Sequence, residues 1–140
     1  MIKRYKRPDM KNALSILTAA KSDMEYTLTM RINEASASTI VRNVYECFRM
    51  LGDALLISKG EESIDHYMPI KVLTMLHIKT SRPVRVIENL RGLRHNINYY
   101  GYKPRVEEAD EVISIAKVLF LPLYRKIKKD VSEGISNKIY

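Results

Sequence analysis

Apolar side chains in this chain recur three and four residues apart in five successive segments, and that spacing constrains the fold more than any other feature. Side chains at such intervals line one face of an α-helix, whereas a strand needs alternation every second residue, which is nowhere sustained. The first segment runs from about Asp9, suited to an N-cap, to about Asn33, with Ala13, Ile16, Leu17, Ala20, Met24 and Leu28 on its inner face. The second follows "NEASAS" with Ser36 or Ser38 as cap, turns Val41, Val44, Tyr45, Phe48, Leu51 and Leu55 inward, and ends at Lys59 ahead of Gly60. A shorter third, about Pro69 to Ile78, has proline in its first turn and Asp65-His66 as a cap.

Ser81 and Pro83 open the fourth segment, where Val86, Leu90, Leu93, Ile97 and Tyr100 repeat as a seam for packing on a neighbouring helix. The fifth begins near Val106 with Glu107, Glu108 and Asp110 in its first turns, where negative charge suits the helix dipole. Val112, Ile115, Ala116, Leu119 and Leu123 turn inward, Pro122 is expected to kink the helix, and the tail "VSEGISNKIY" is expected to fray. There is no repeat, low-complexity tract or break in composition. The expected fold is all-α over residues 1–140, a single up-and-down bundle of four long helices plus a short additional helix, without strands.

With 140 residues, 46% of them hydrophobic and 29% charged, the chain can bury one core without covalent staples. The lone Cys47 cannot form an internal disulfide, and its neighbours Tyr45 and Phe48 place it near the core as a reduced thiol of a cytoplasmic protein. The opening "MIKRYKRPD" lacks the apolar segment of a signal peptide, and "VLFLPLY" is too short to span a bilayer, so no membrane association is expected. A net charge of +8, from 24 basic and 16 acidic residues, favours polyanionic partners, either nucleic acid or an acidic protein. The same excess also fits solvated surface lysines, and the basic clusters "KRYKR" and "YRKIKK" do not decide between them.

The stretch "LRGLRHNINYYGYKP" carries the chemistry. No carboxylate lies between Glu88 and Glu107, while Arg91, Arg94, Lys103 and Arg105 do. Arg94 falls on the flank of the apolar seam, where a guanidinium requires a carboxylate, a carbonyl or a phosphate. Two partners are open: an internal bridge to Glu46, or an external phosphate met by the planar fork. Arg91 shares a helix face with His95, and Arg94 with Asn98. A histidine can move protons near neutrality. Tyr99 and Tyr102 are free to stack on bases or donate to phosphate, while Tyr100 completes the seam in the core. Gly101 is the residue expected to end the helix with positive φ. His66, His77, His95 and Cys47 have no metal-ligand spacing, and glycine-rich phosphate loops and nucleophile elbows are missing, so neither metal nor cofactor is expected. The seven methionines read as core filler.

The segment Arg94-His95 followed by Tyr99-Tyr100-Gly101 resembles the signature of the HEPN family (higher eukaryotes and prokaryotes nucleotide-binding). Its hallmark is an arginine, then a polar residue, then a histidine four to six positions beyond the arginine. Here Arg94-His95 matches the first half, and Tyr99 or Tyr100 stands where the second histidine belongs. "YECFRMLGDALLISKG" with "DHYMPIKVL" is similar to the family's second and third helices, and "RHNINYYGYKP" with "EVISIAKVLFLPLY" to its last two. The resemblance implies a homodimer joined through the motif faces, with Arg94, His95, Asn98 and Tyr99 in the shared cleft, Arg91, Tyr102 and Glu46 around it, and RNA or nucleotide as ligand. Many members are metal-independent ribonucleases, commonly toxins. Others are silent partners of a minimal nucleotidyltransferase that can modify a tyrosine near the motif. Cleavage needs a base for the 2′-hydroxyl and cations for the phosphorane. Arg94 suits the second task. A phenol at position 99 is a poor base at neutral pH, which leaves binding better supported than catalysis.

Overall fold

The structure, a computed structural model, describes residues 3–63 and 65–137. In chain order these form β1 (Lys3–Tyr5), α1 (Met10–Thr27), α2 (Ala37–Ser58), β2 (Glu61–Ser63), α3 (Met68–Thr74), a single 3₁₀ turn (Val84–Val86), α4 (Ile87–Tyr100) and α5 (Val106–Asn137). The architecture is the expected all-α bundle. One addition was not expected: β1 and β2 pair antiparallel, with Lys3 opposite Ser63 and Tyr5 opposite Glu61. Segments of three residues are too short to display an alternating pattern.

Local chemistry fixes most helix starts. The Asp9 carboxylate accepts the Asn12 N–H at 2.9 Å, capping α1. Asp65 does the same for α3, accepting from the N–H groups of Tyr67 and Met68. Ser36 stands at the N-cap of α2, yet its hydroxyl donates to the Arg31 carbonyl and accepts the Asn33 N–H, shaping the preceding turn instead. α1 stops at Thr27 rather than near Asn33. Both the N–H and the hydroxyl of Thr29 take the Tyr26 carbonyl, which a continuing helix would give to Met30. α3 closes at Thr74, short of Ile78, and α5 runs unbroken through Pro122 to Asn137, so the "VSEGISN" portion of the tail is helical. Lys138 to Tyr140 lie outside the described residues.

α2 is the centre of the bundle. It packs on α1, α5, α3 and α4, and its Val41, Val44, Phe48, Leu51 and Leu55 are all buried as expected. Phe48 meets Phe120 of α5 edge to face, with centroids 5.8 Å apart. Cys47 is buried, which pushes its thiol up to about 12. At Gly52 the backbone of α3 comes so close that a β-carbon would sit 1.8 Å from the Pro69 carbonyl oxygen.

Two glycines therefore predict opposite outcomes. Gly52→Ala must push α3 off α2 and should cost about 3 kcal/mol or more by overpacking. Gly92 lies inside α4, and a β-carbon there would meet nothing within 4 Å. Gly92→Ala should therefore gain about 0.5–1 kcal/mol. Urea unfolding of both variants checks this, and matching signs would contradict the packing described.

Candidate functional site

α4 is fastened to α2 by Ile87, Leu90 and Ile97, which are buried. Arg94 falls between Leu90 and Ile97 at the spacing of that same seam, where an apolar side chain would ordinarily sit. Of the seam expected from sequence, Leu90 and Ile97 are buried, and Val86 and Leu93 pack against the core from its edge. Val86 and Leu93 are only half-buried, and Tyr100 is 76% exposed, so Tyr100 is a surface residue and not core.

Arg94 is half-buried, and its Cζ lies 5.2 Å from the centroid of the Tyr45 ring on α2. A cation over an aromatic face is attracted by the ring quadrupole. Arg91, one turn earlier, takes the same pose over Tyr67, at 4.4 Å, in the segment leading into α3. Both cations are thus oriented by rings. Among the described residues neither forms an ion pair with a carboxylate.

The internal bridge from Arg94 to Glu46 is not formed. Arg49, one turn along α2, takes Glu46 through two N–H groups, with Nε 3.0 Å from Oε2, and takes Asp53 through a third. The Arg49 hydrogen bond holds the Glu46 carboxyl below the usual carboxylate range, against the effect of burial, with Arg94 contributing less. Asp53 shifts the other way, because burial raises it more than Arg49 lowers it. Glu46 also lines a cavity of about 460 Å³ with Asp23 and Thr27 of α1.

Beneath Arg94, Tyr45 is only 1% exposed, and its hydroxyl has no hydrogen-bond partner among the described residues. Burial raises its phenol, while the charges of Arg94, Arg91 and Arg49 act to lower it.

The outer face of α4 is aromatic. The His95 ring lies 4.6 Å from that of Tyr99 and 5.7 Å from that of Tyr100, centroid to centroid, and Tyr99 is 68% exposed. Asn98 is exposed beside them. Tyr102 leaves the group. Gly101, at φ 64°, ends α4, and the Tyr102 hydroxyl donates to Glu108 of α5, which also accepts the Arg105 N–H at 2.9 Å. That bond raises the Tyr102 phenol and ties the helix end to α5.

Of the residues expected at a site, the fold brings together Arg91, Arg94, His95, Asn98 and Tyr99, and diverts Glu46 and Tyr102 to structural partners. Tyr45, Arg49 and Tyr67 were missed as members. The signal was present in Ile87, Leu90, Arg94 and Ile97, whose intervals place Arg94 directly over α2. The described residues hold no group of three or more His, Cys, Asp or Glu able to bind a metal ion. None of the described helices is long and apolar enough to cross a membrane. Comparison with protein-family models, curated proteins and solved structures finds no match for this chain.

The Glu46–Arg49 pair has a pH signature. A carboxyl held low in the folded state contributes stability above its unfolded pKa and loses it as pH falls through the lower folded value. Asp53, raised, contributes with the opposite sign. Glu46→Gln should therefore flatten the fall in stability from about pH 5 downward. In double-mutant cycles Glu46 should couple to Arg49 by about 0.5 kcal/mol and more weakly to Arg94. Stronger coupling to Arg94 would reverse the assignment of its partner.

Proposed function

We propose that this protein binds RNA or nucleotide phosphate through the α4 face carrying Arg91, Arg94, His95, Asn98 and Tyr99, in a cleft formed between two copies of the chain, as the resemblance to HEPN proteins implies. One observation carries the reading. Two arginines lie one turn apart on α4, each over an aromatic ring and neither paired with a carboxylate among the described residues. A guanidinium held in this way keeps its fork for a phosphate. The exposed rings of Tyr99, Tyr100 and His95 supply flat surfaces on which unpaired bases stack.

Binding is better supported than cleavage. Arg94 and its counterpart in a second copy would stabilise the charge of a phosphorane. A base for the 2′-hydroxyl is less well provided for, because the motif's second histidine is replaced by tyrosine. A general base contributes roughly 10²–10⁴-fold in rate, so a metal-independent ribonuclease built on this face would be slow.

A second reading draws on the exposure of Tyr99. As a catalytically silent partner of a minimal nucleotidyltransferase, the domain would offer this phenol for nucleotide transfer, whereas Tyr102 is committed to Glu108. A nucleotide adduct found by mass spectrometry on Tyr99 of natively expressed protein would favour it.

Purified protein should retain RNA with affinity falling steeply with salt, since phosphate contacts release counterions. Arg94→Ala should weaken retention about 10- to 100-fold, the range of a lost charge-assisted contact. Equal retention by the variant would remove this face from consideration. The same proteins incubated with RNA in EDTA separate the two activities, because cleavage abolished by both Arg94→Ala and His95→Ala would make the site a nuclease.

A further inference from the structure

We infer that the Tyr45 hydroxyl is a further donor of this site, and that the group it recognises is a phosphate monoester at a nucleotide or chain end. This inference rests on the phosphate-binding reading of Arg94. The starting point is a phenol that is 1% exposed and whose hydroxyl finds no partner among the described residues. Buried polar atoms are ordinarily hydrogen-bonded, and one left unmatched costs the folded chain stability. Its surroundings are predominantly cationic, with Glu46 the acid that also acts on the phenol. Arg94 lies across the ring at 5.2 Å, and Arg91 and Arg49 are close enough to act on the phenol. Arg49 is committed to Glu46 and Asp53, which leaves Arg91 and Arg94 to balance a ligand's charge.

The donor geometry selects among anions. A guanidinium offers two parallel N–H groups in one plane and engages two oxygens. The Tyr45 hydroxyl lies in the plane of its own ring, at a different level from the guanidinium above the ring face, so an oxygen outside the plane of the fork suits it best. A carboxylate holds both its oxygens in one plane. An internal phosphodiester has two non-bridging oxygens that share a single negative charge. A monoester has three, and its charge approaches −2 at neutral pH, matching two free arginines. Arg94 is half-buried and lies over the ring with no ion pair among the described residues, so an anion can draw its guanidinium outward and open a path toward the phenol.

The test uses the full chain and short oligoribonucleotides of one sequence carrying a 5′-phosphate, a 3′-phosphate or hydroxyls at both ends, with inorganic phosphate as competitor. Wild type should prefer a phosphorylated end by about tenfold, the worth of one added hydrogen bond to a charged group. Tyr45→Phe should erase that preference while melting at the same or a higher temperature, since it removes an unmatched polar atom and keeps the ring under Arg94. Three results overturn the inference: equal binding of all three oligonucleotides by wild type, a preference retained by Tyr45→Phe, or a lower melting temperature for that variant, which would mean the hydroxyl already serves the fold. If Tyr45→Phe is unaffected while Arg94→Ala loses binding, only the role of Tyr45 fails. If wild type holds none of the oligonucleotides, or Arg94→Ala binds as wild type does, the phosphate reading fails with it.

Discussion

The covering of α2 by four other helices governs the rest of the molecule. A helix packed on α1, α3, α4 and α5 has little circumference left for solvent, and its charged residues must share what remains. Arg42, Glu46, Arg49 and Asp53 follow one another along that strip. Confined there, the charges satisfy one another within the helix, with Arg49 between the two acids. The consequence reaches across to α4. Glu46, the acid that the sequence offers most directly to Arg94, is consumed by its own helix, and Arg94 is left with an aromatic ring. The electrostatic character of the surface thus follows from how tightly the core helix is wrapped.

Placing an arginine in the seam has a further effect. The aliphatic stem of Arg94 can continue the contact made by Leu90 and Ile97 while its head remains near the surface. The Tyr45 ring beneath it is held by packing, and its hydroxyl has no hydrogen-bond partner among the described residues. A core designed for stability alone would place phenylalanine at position 45 and leucine at position 94. The departure from that choice is confined to one spot, beside the exposed tyrosines, and a local breach of packing rules of this kind is what functional sites tend to display. By contrast Cys47, buried on the same helix with its thiol pushed up to about 12, has an environment that suppresses its reactivity.

How much of this could be read from residues alone depended on how local the determining interaction is. Asp9, Gly101 and the acids opening α5 are caps whose effect lies within one turn, and they were legible. The inward faces of α2 and α5 were legible too, because apolar periodicity records them directly. The end of α1 was not, since it hinges on which donors Thr29 places on one carbonyl. On α4 the seam was legible except at Tyr100, whose ring falls at the spacing of the stripe but stands exposed at the last residue before Gly101 ends the helix. The absent Glu46–Arg94 bridge has a different cause. Two acids and two arginines within reach admit several pairings, and sequence separation on one helix decided the outcome.

The pairing of β1 with β2 carries a consequence for synthesis on the ribosome. Lys3 to Tyr5 are made before α1, yet their partners Glu61 to Ser63 follow the whole of α1 and α2. Loop-closing contacts of such long range form only after the intervening chain exists. β1 must therefore wait for its partner strand until both helices have left the exit tunnel.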